Sequence, residues 1–134
     1  MTGYLLDTHS MLWALFTPSK LSAEARRTLT APEHRIIVSS ISFWEISIKF
    51  TLGKLTLPRT LPDELPDAVR SIGFKIREVT ASELASFHQL PLDPSHRDPF
   101  DRMLVWIALQ QNLTFVSRDK RLSLYADRGL KRVW

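Results

Sequence analysis

Asp98-Pro99-Phe100-Asp101-Arg102-Met103-Leu104-Val105-Trp106-Ile107-Ala108-Leu109, followed shortly by Thr114-Phe115-Val116-Ser117-Arg118-Asp119, is the stretch on which the fold turns. Asp98 before Pro99 marks a helix start, with an aspartate cap and a proline where a missing N–H has no helical partner to lose. The run after Asp101 is apolar nearly all round, so this helix is largely buried. Thr114 to Ser117 is a short β-branched and aromatic run that reads as a strand. An acid, Asp119, stands just beyond it.

The same pattern recurs along the chain. Tyr4-Leu5-Leu6 predicts a short buried strand followed by Asp7, with a helix over Met11 to Phe16. Ser22 caps a helix carrying Ala23, Ala25 and Leu29, which Pro32 ends. Arg35 to Ser39 is a second strand, and Ser40 to about Leu52 a helix stopped by Gly53. Pro58, Pro62 and Pro66 mark an ordered connector into a short helix from Asp63 to Ile72. Phe74 to Val79 is a third strand, and Thr80-Ala81-Ser82-Glu83 a capping box that opens another helix. Arg132-Val133-Trp134 completes the series as an edge strand. Strands separated by helices imply βαβ crossovers, hence an α/β fold with a mostly parallel sheet. Strand ends and the helix starts that follow them share one rim of such a sheet, where ligands bind.

At 134 residues and 44% hydrophobic content, residues 1–134 form a single domain with a substantial core. The chain has no cysteine, which excludes disulfides, thiolate nucleophiles and cysteine-bound zinc. Its four glycines form no phosphate-cradling pattern, so a dinucleotide-binding or P-loop protein is not expected. The apolar run after Asp7 and His9 lacks a basic leader and is too short to span a bilayer, so no membrane association and a cytoplasmic location are expected. Residues 1–117 balance twelve basic against twelve acidic residues, whereas Arg118 to Arg132 carries six basic and two acidic, the whole surplus of four. Such a patch beside an acidic site suits a polyanionic substrate; alternatively it is a solvated tail.

Asp7, Glu45, Asp101 and Asp119 each have a local alternative to function. Asp7 can cap the helix that follows, and Asp119 can cap a helix from Lys120 to Tyr125 or be neutralised by Arg118, Lys120 or Arg121. Glu45 can close a capping box with Ser42 or pair with Lys49 one turn on. Yet it shares a helical face with Ile41, Ile48 and Leu52, which points it inward. Asp101 can favour the helix dipole, by about 0.3–1 kcal/mol, and Asp98 is well explained as a cap. Their convergence is what counts: acids crowded on one rim repel unless a cation lies among them. Thr8, Ser39 and Ser117 are hydroxyls at the same rim. His9, His34, His88 and His96 show no ligand spacing and read as structural, although His96 lies two residues before Asp98. Trp13, Trp44, Trp106 and Phe43 read as core. Phe43, Ile46 and Phe50 form a second apolar surface suited to another subunit.

These motifs, in this order and over nearly the whole chain, resemble the PIN-domain ribonucleases, and within them the VapC-like toxins of type II toxin–antitoxin pairs. The resemblance implies an α/β/α three-layer sandwich that binds Mg²⁺ or Mn²⁺ and cuts RNA. It implies Asp7, Asp101 and Asp119 as metal ligands and Glu45 as the residue that orients or deprotonates the attacking water. For Asp98 it implies a place just behind the metal ligands or ligation through water. Arg118, Lys120 and Arg121, with Ser117, are expected to hold flanking phosphates. A homodimer and a cognate antitoxin are the implied partners. A non-catalytic RNA- or protein-binding module on the same fold is the competing reading. A haloacid-dehalogenase phosphatase is disfavoured, because its second aspartate would fall at His9.

Overall fold

The computed structural model describes residues 3–134; Met1 and Thr2, the first two residues of the expected domain, lie outside the described residues. The strands are β1 (Gly3–Leu6), β2 (Arg35–Ser39), β3 (Lys75–Arg77), β4 (Thr114–Val116) and β5 (Arg132–Val133). They form one five-stranded sheet in the order β3-β2-β1-β4-β5, and every pairing is parallel. Between them run α1 (Thr8–Phe16), α2 (Ala23–Thr30), α3 (Ser40–Thr51), α4 (Leu65–Ser71), α5 (Ala81–Ser86) and α6 (Pro99–Gln111), with a 3₁₀ helix over Lys120–Arg128.

Strand alternation explains the three layers. Successive side chains of a strand point to opposite faces, and here both directions are apolar. Leu5, Ile37 and Phe115 enter one core with Leu104 and Ile107 of α6. Leu6, Ile36, Val38 and Val116 enter the other with Met11 of α1, Ile46 of α3 and Val69 of α4. A parallel sheet covered on both faces needs such continuous apolar strands. The expected α/β/α sandwich is what the chain forms.

The element boundaries differ from the sequence reading for identifiable reasons. Helix α1 begins at Thr8, ahead of Met11, because the Asp7 carboxylate accepts the Ser10 backbone N–H at 2.8 Å. The third strand is shorter than Phe74–Val79: the Val79 N–H donates to Ser40 Oγ at 2.9 Å instead of to the sheet. The segment after Asp119 is a 3₁₀ helix that runs on to Arg128 and ends at Gly129, whose φ of 97° is the left-handed geometry glycine tolerates.

Helix α3 is rotated from the expected stripe. Ser42, Glu45 and Ile46 are its buried residues, while Leu52 is 61% exposed. Ile46 therefore belongs to the core and not to an opposite apolar surface. Its cap is Ser39, which accepts the Ile41 N–H, and not Ser42. Trp44 is 59% exposed and so is not core; it meets the edge of Phe100 with ring centroids 5.5 Å apart. The sequence pattern missed the rotation because the inward face is partly polar, with Ser42 and Glu45 serving hydrogen bonds that hydrophobic periodicity does not register.

Glu83 ties three elements together. It closes the capping box of α5 with Thr80, pairs with Arg77 of β3 at 2.9 Å, and accepts from Gln111 at the end of α6 at 3.2 Å. Burial raises the Glu83 pKa, but the Arg77 and Thr80 hydrogen bonds outweigh it, leaving the group below its ordinary 4.5. A depressed carboxylate pKa stabilises the fold above the unfolded value, and that stability is lost as pH falls through the folded value. Glu83→Gln is expected to lower stability at pH 7 by about 1–3 kcal/mol. In denaturant titrations across pH, the gap to wild type should close below the ordinary glutamate range. A gap that persists unchanged in acid would show that the charge is not responsible.

Candidate functional site

The order β3-β2-β1-β4-β5 places the chain's reversal between β1 and β4, and the crevice beyond their carboxyl ends is where such sheets bind ligands. Asp7 follows β1 directly, and its backbone N–H continues the ladder to Val116 O at 3.1 Å. Ser117 and Asp119 follow β4. The Ser117 N–H still reaches Val133 O, and its hydroxyl accepts the Asp119 N–H at 3.1 Å. The two neighbouring strands thus deliver Asp7 and Asp119 to one place by backbone pairing alone. Asp101, in the first turn of α6, lines the same place.

These three acids line one cleft of about 380 Å³, together with His96, Arg118 and Lys120. His9 and Trp13 border it too, their rings stacked with centroids 5.7 Å apart. Glu45 and Asp98 do not line the cleft, yet their charges act on Asp101. Asp98 accepts the Asp101 N–H at 3.1 Å as the cap of α6. Glu45 is buried at 2% exposure; it accepts from Thr8 Oγ1 at 2.6 Å and pairs with Lys49.

The electrostatics are uneven. Burial raises the Asp7 pKa, partly offset by hydrogen bonds from Ser10 and Ser117. Asp101 is pushed up to about 8, first by burial and then by the like charges of Asp98, Glu45 and Asp7. Asp119 moves the other way, because Arg121 grips both its oxygens at 2.7–3.1 Å. Arg121, expected among the phosphate-holding residues, is therefore committed to Asp119, and it also donates to Ser95 O at 3.1 Å. Arg118 and Lys120 are exposed at the rim.

The donor set fits a hard divalent cation. Carboxylate oxygens are the ligands such ions take, and Asp7, Asp101 and Asp119 bring them to one cleft. One cleft residue was underrated from the sequence. His96 is buried and carries a ring nitrogen within 4.8 Å of carboxylate oxygens of both Asp101 and Asp119. Its nearness to Asp98 was the only signal, since the histidines have no mutual spacing.

The parallel sheet with both faces covered and an acid-lined crevice at its switch point define the class: residues 4–128 match the PIN domain family model, and the chain belongs to the PIN-domain family. Across its full length it is 27% identical, over 139 aligned positions, to ribonuclease VapC22 of Mycobacterium tuberculosis, also covered in full. Its fold is similar to that in VapBC2 of Rickettsia felis bound to a promoter DNA fragment (TM-score 0.65, 14% identity, 98% of each chain). It is also similar to that in VapBC-1 of nontypeable Haemophilus influenzae (TM-score 0.59, 16% identity, 98% of this chain and 97% of the other). Among the described residues, no helix is long and apolar enough to cross a membrane.

Thr8 links the buried Glu45 to the turn that carries Asp7. Thr8→Val keeps the side-chain shape but strips a hydrogen bond from a buried carboxylate, a loss of about 1.5–3 kcal/mol. The exposed Thr30→Val is expected to change stability by no more than about 0.5 kcal/mol. Urea denaturation of both variants checks this, and equal midpoints would mean that Thr8 does not support Glu45.

Proposed function

We propose that this protein is a metal-dependent endoribonuclease, the toxin of a type II toxin–antitoxin pair. The observation that carries the reading is one cleft lined by Asp7, Asp101 and Asp119 with a basic rim. Its full-length similarity to a protein named as a ribonuclease supports the same substrate class. Asp7, Asp101 and Asp119 would hold a divalent cation, Mg²⁺ or Mn²⁺, with Asp98 contributing through water. When bound, the cation lowers the pKa of a coordinated water and stabilises charge on the phosphate.

The chain's own residues do the rest. Glu45, its carboxylate fixed by Thr8 and Lys49, orients or deprotonates the attacking water. Arg118 and Lys120 attract the RNA backbone without reading sequence. The stacked pair His9 and Trp13 offers an aromatic face to an unstacked base, which favours single-stranded or looped RNA. Arg121 holds Asp119 in place through both its oxygens. The protein acts as a homodimer, and a cognate antitoxin inhibits it by covering the cleft. The exposed Trp44, Phe50 and Leu52 along α3 provide apolar surface for such assembly.

Asp7→Asn and Asp119→Asn should each reduce cleavage of a structured RNA by at least about a hundredfold, with melting temperatures near wild type. Gel analysis with Mn²⁺, and after chelation, checks this. Cleavage that survives chelation, or a variant with full activity, contradicts the mechanism. RNA binding without cleavage by any form, wild type included, would instead make the protein a non-catalytic module.

The rim makes a separate prediction. Neutralising Arg118 and Lys120 together should weaken RNA binding and lower the slope of log affinity against log salt by about 1–2. Filter binding across salt concentrations measures it. An unchanged slope would place the phosphate contacts elsewhere.

A further inference from the structure

Within the segment before α6, a tight turn is built to aim one histidine inward. Asp93 accepts from the Ser95 N–H at 2.8 Å and the Ser95 hydroxyl at 2.6 Å, and Asp93 O accepts the His96 N–H at 3.1 Å. Arg121 pins the same turn through Ser95 O while gripping Asp119, so the turn and the acid beyond β4 are held by one guanidinium. The result is a histidine 1% exposed in a segment whose neighbours Ser95 and Arg97 are exposed.

The two ring nitrogens of His96 are in different situations. Nδ1 lies 2.7 Å from the hydroxyl of the buried Tyr125. Nε2 is buried and, among the described residues, has no hydrogen-bond partner. A buried polar nitrogen left unpaired is costly, and buried groups of this kind are normally satisfied. A ring nitrogen of His96 and carboxylate oxygens of Asp101 and Asp119 all lie within 4.8 Å of one another, and Nε2 is the ring nitrogen left without a partner. Ligands about 2.0–2.2 Å from a shared ion are at most roughly 4.4 Å apart, so small side-chain rotations suffice to meet one.

We infer that His96 Nε2 is a direct ligand of the divalent cation, joining Asp101 and Asp119 in a mixed nitrogen–oxygen site. This rests on the metal-dependent reading above and deepens it. The assignment requires the tautomer in which Nδ1–H donates to the Tyr125 hydroxyl 2.7 Å away, which leaves the Nε2 lone pair free and gives the outer-shell support that metal-bound imidazoles usually have. An all-oxygen site suits Mg²⁺, whereas an imidazole nitrogen shifts preference toward Mn²⁺ and later first-row ions. His96 is thereby a determinant of which metal the protein uses.

The test loads the intact protein with Mn²⁺ and records pulsed electron paramagnetic resonance, which reads nitrogen coupling at the ion independently of activity. Wild type should show imidazole nitrogen coupling, and His96→Gln should lose it. By calorimetry the variant should bind Mn²⁺ roughly tenfold or more weakly, with a smaller loss for Mg²⁺. Tyr125→Phe should keep the coupling and weaken Mn²⁺ less. Bound Mn²⁺ without nitrogen coupling in wild type overturns the assignment of His96 and leaves the carboxylate site standing. That result needs no variant, so it holds even if His96→Gln fails to fold. Absence of any Mn²⁺ binding by wild type overturns the metal-dependent reading and this assignment together.

Discussion

Negative charge gathered in a partly buried crevice is the constraint around which the rest of this molecule is arranged. Asp7 and Asp119 are not brought together by mutual attraction; they are delivered by backbone hydrogen bonds between β1 and β4, which are parallel and adjacent. The sheet exists because both faces of its strands are apolar and covered. Hydrophobic burial, the dominant favourable term in folding, thus holds carboxylates closer than their electrostatics favour. Asp101 shows the consequence, its carboxyl raised to about 8 by burial and by neighbouring negative charge.

The surrounding residues manage this charge in two different ways. Asp119 is neutralised by Arg121, and Glu45 by Lys49 and Thr8. Asp101 is served by no ion pair among the described residues, and His96, which brings a ring nitrogen close to it, has an unpaired Nε2. Asp7 and Asp98 likewise have no ion pair among the described residues, so only Asp119 and Glu45 of these acids are paired. A buried structural network would be expected to satisfy every member. The distribution found here accords with the cation site proposed above.

Much of this was legible in the sequence, and the reasons are local. Asp98-Pro99 and Thr80-Ala81-Ser82-Glu83 specify helix starts through hydrogen bonds within a few residues, and both caps form as expected. Arg35 to Ser39 is a strand to the residue. The meeting of Asp7 and Asp119 follows from parallel topology, which alternating strands and helices announce; Asp101 joins them from a helix with no strand directly before it, and Glu45, expected with them, does not line the cleft. What failed was orientation about a helix axis. Trp44 was assigned inward by its apolarity and Ile46 outward by its spacing, because the pattern could not show that Ser42 and Glu45 would be buried in hydrogen bonds with Thr8. His96 was underrated for a related reason: its role depends on Tyr125 and Asp119, both more than twenty positions away.

Capping and function are not rival explanations of these acids. Asp7 uses Oδ1 to accept the Ser10 N–H, and Asp98 uses Oδ2 to accept the Asp101 N–H. Each bond fixes the carboxylate's direction while leaving its second oxygen for other partners. A helix N-terminus also favours the ionised form of a nearby acid, which metal ligation requires. At Asp7 and Asp119 one geometric rule, a strand running into a helix, therefore supplies location and orientation at once. The residue that departs from the rule is His96, carried on a turn and not at a helix start, and held by a tyrosine and an arginine-braced loop. A nitrogen donor among oxygens needs that separate scaffold, since no capping geometry favours a histidine at such a position.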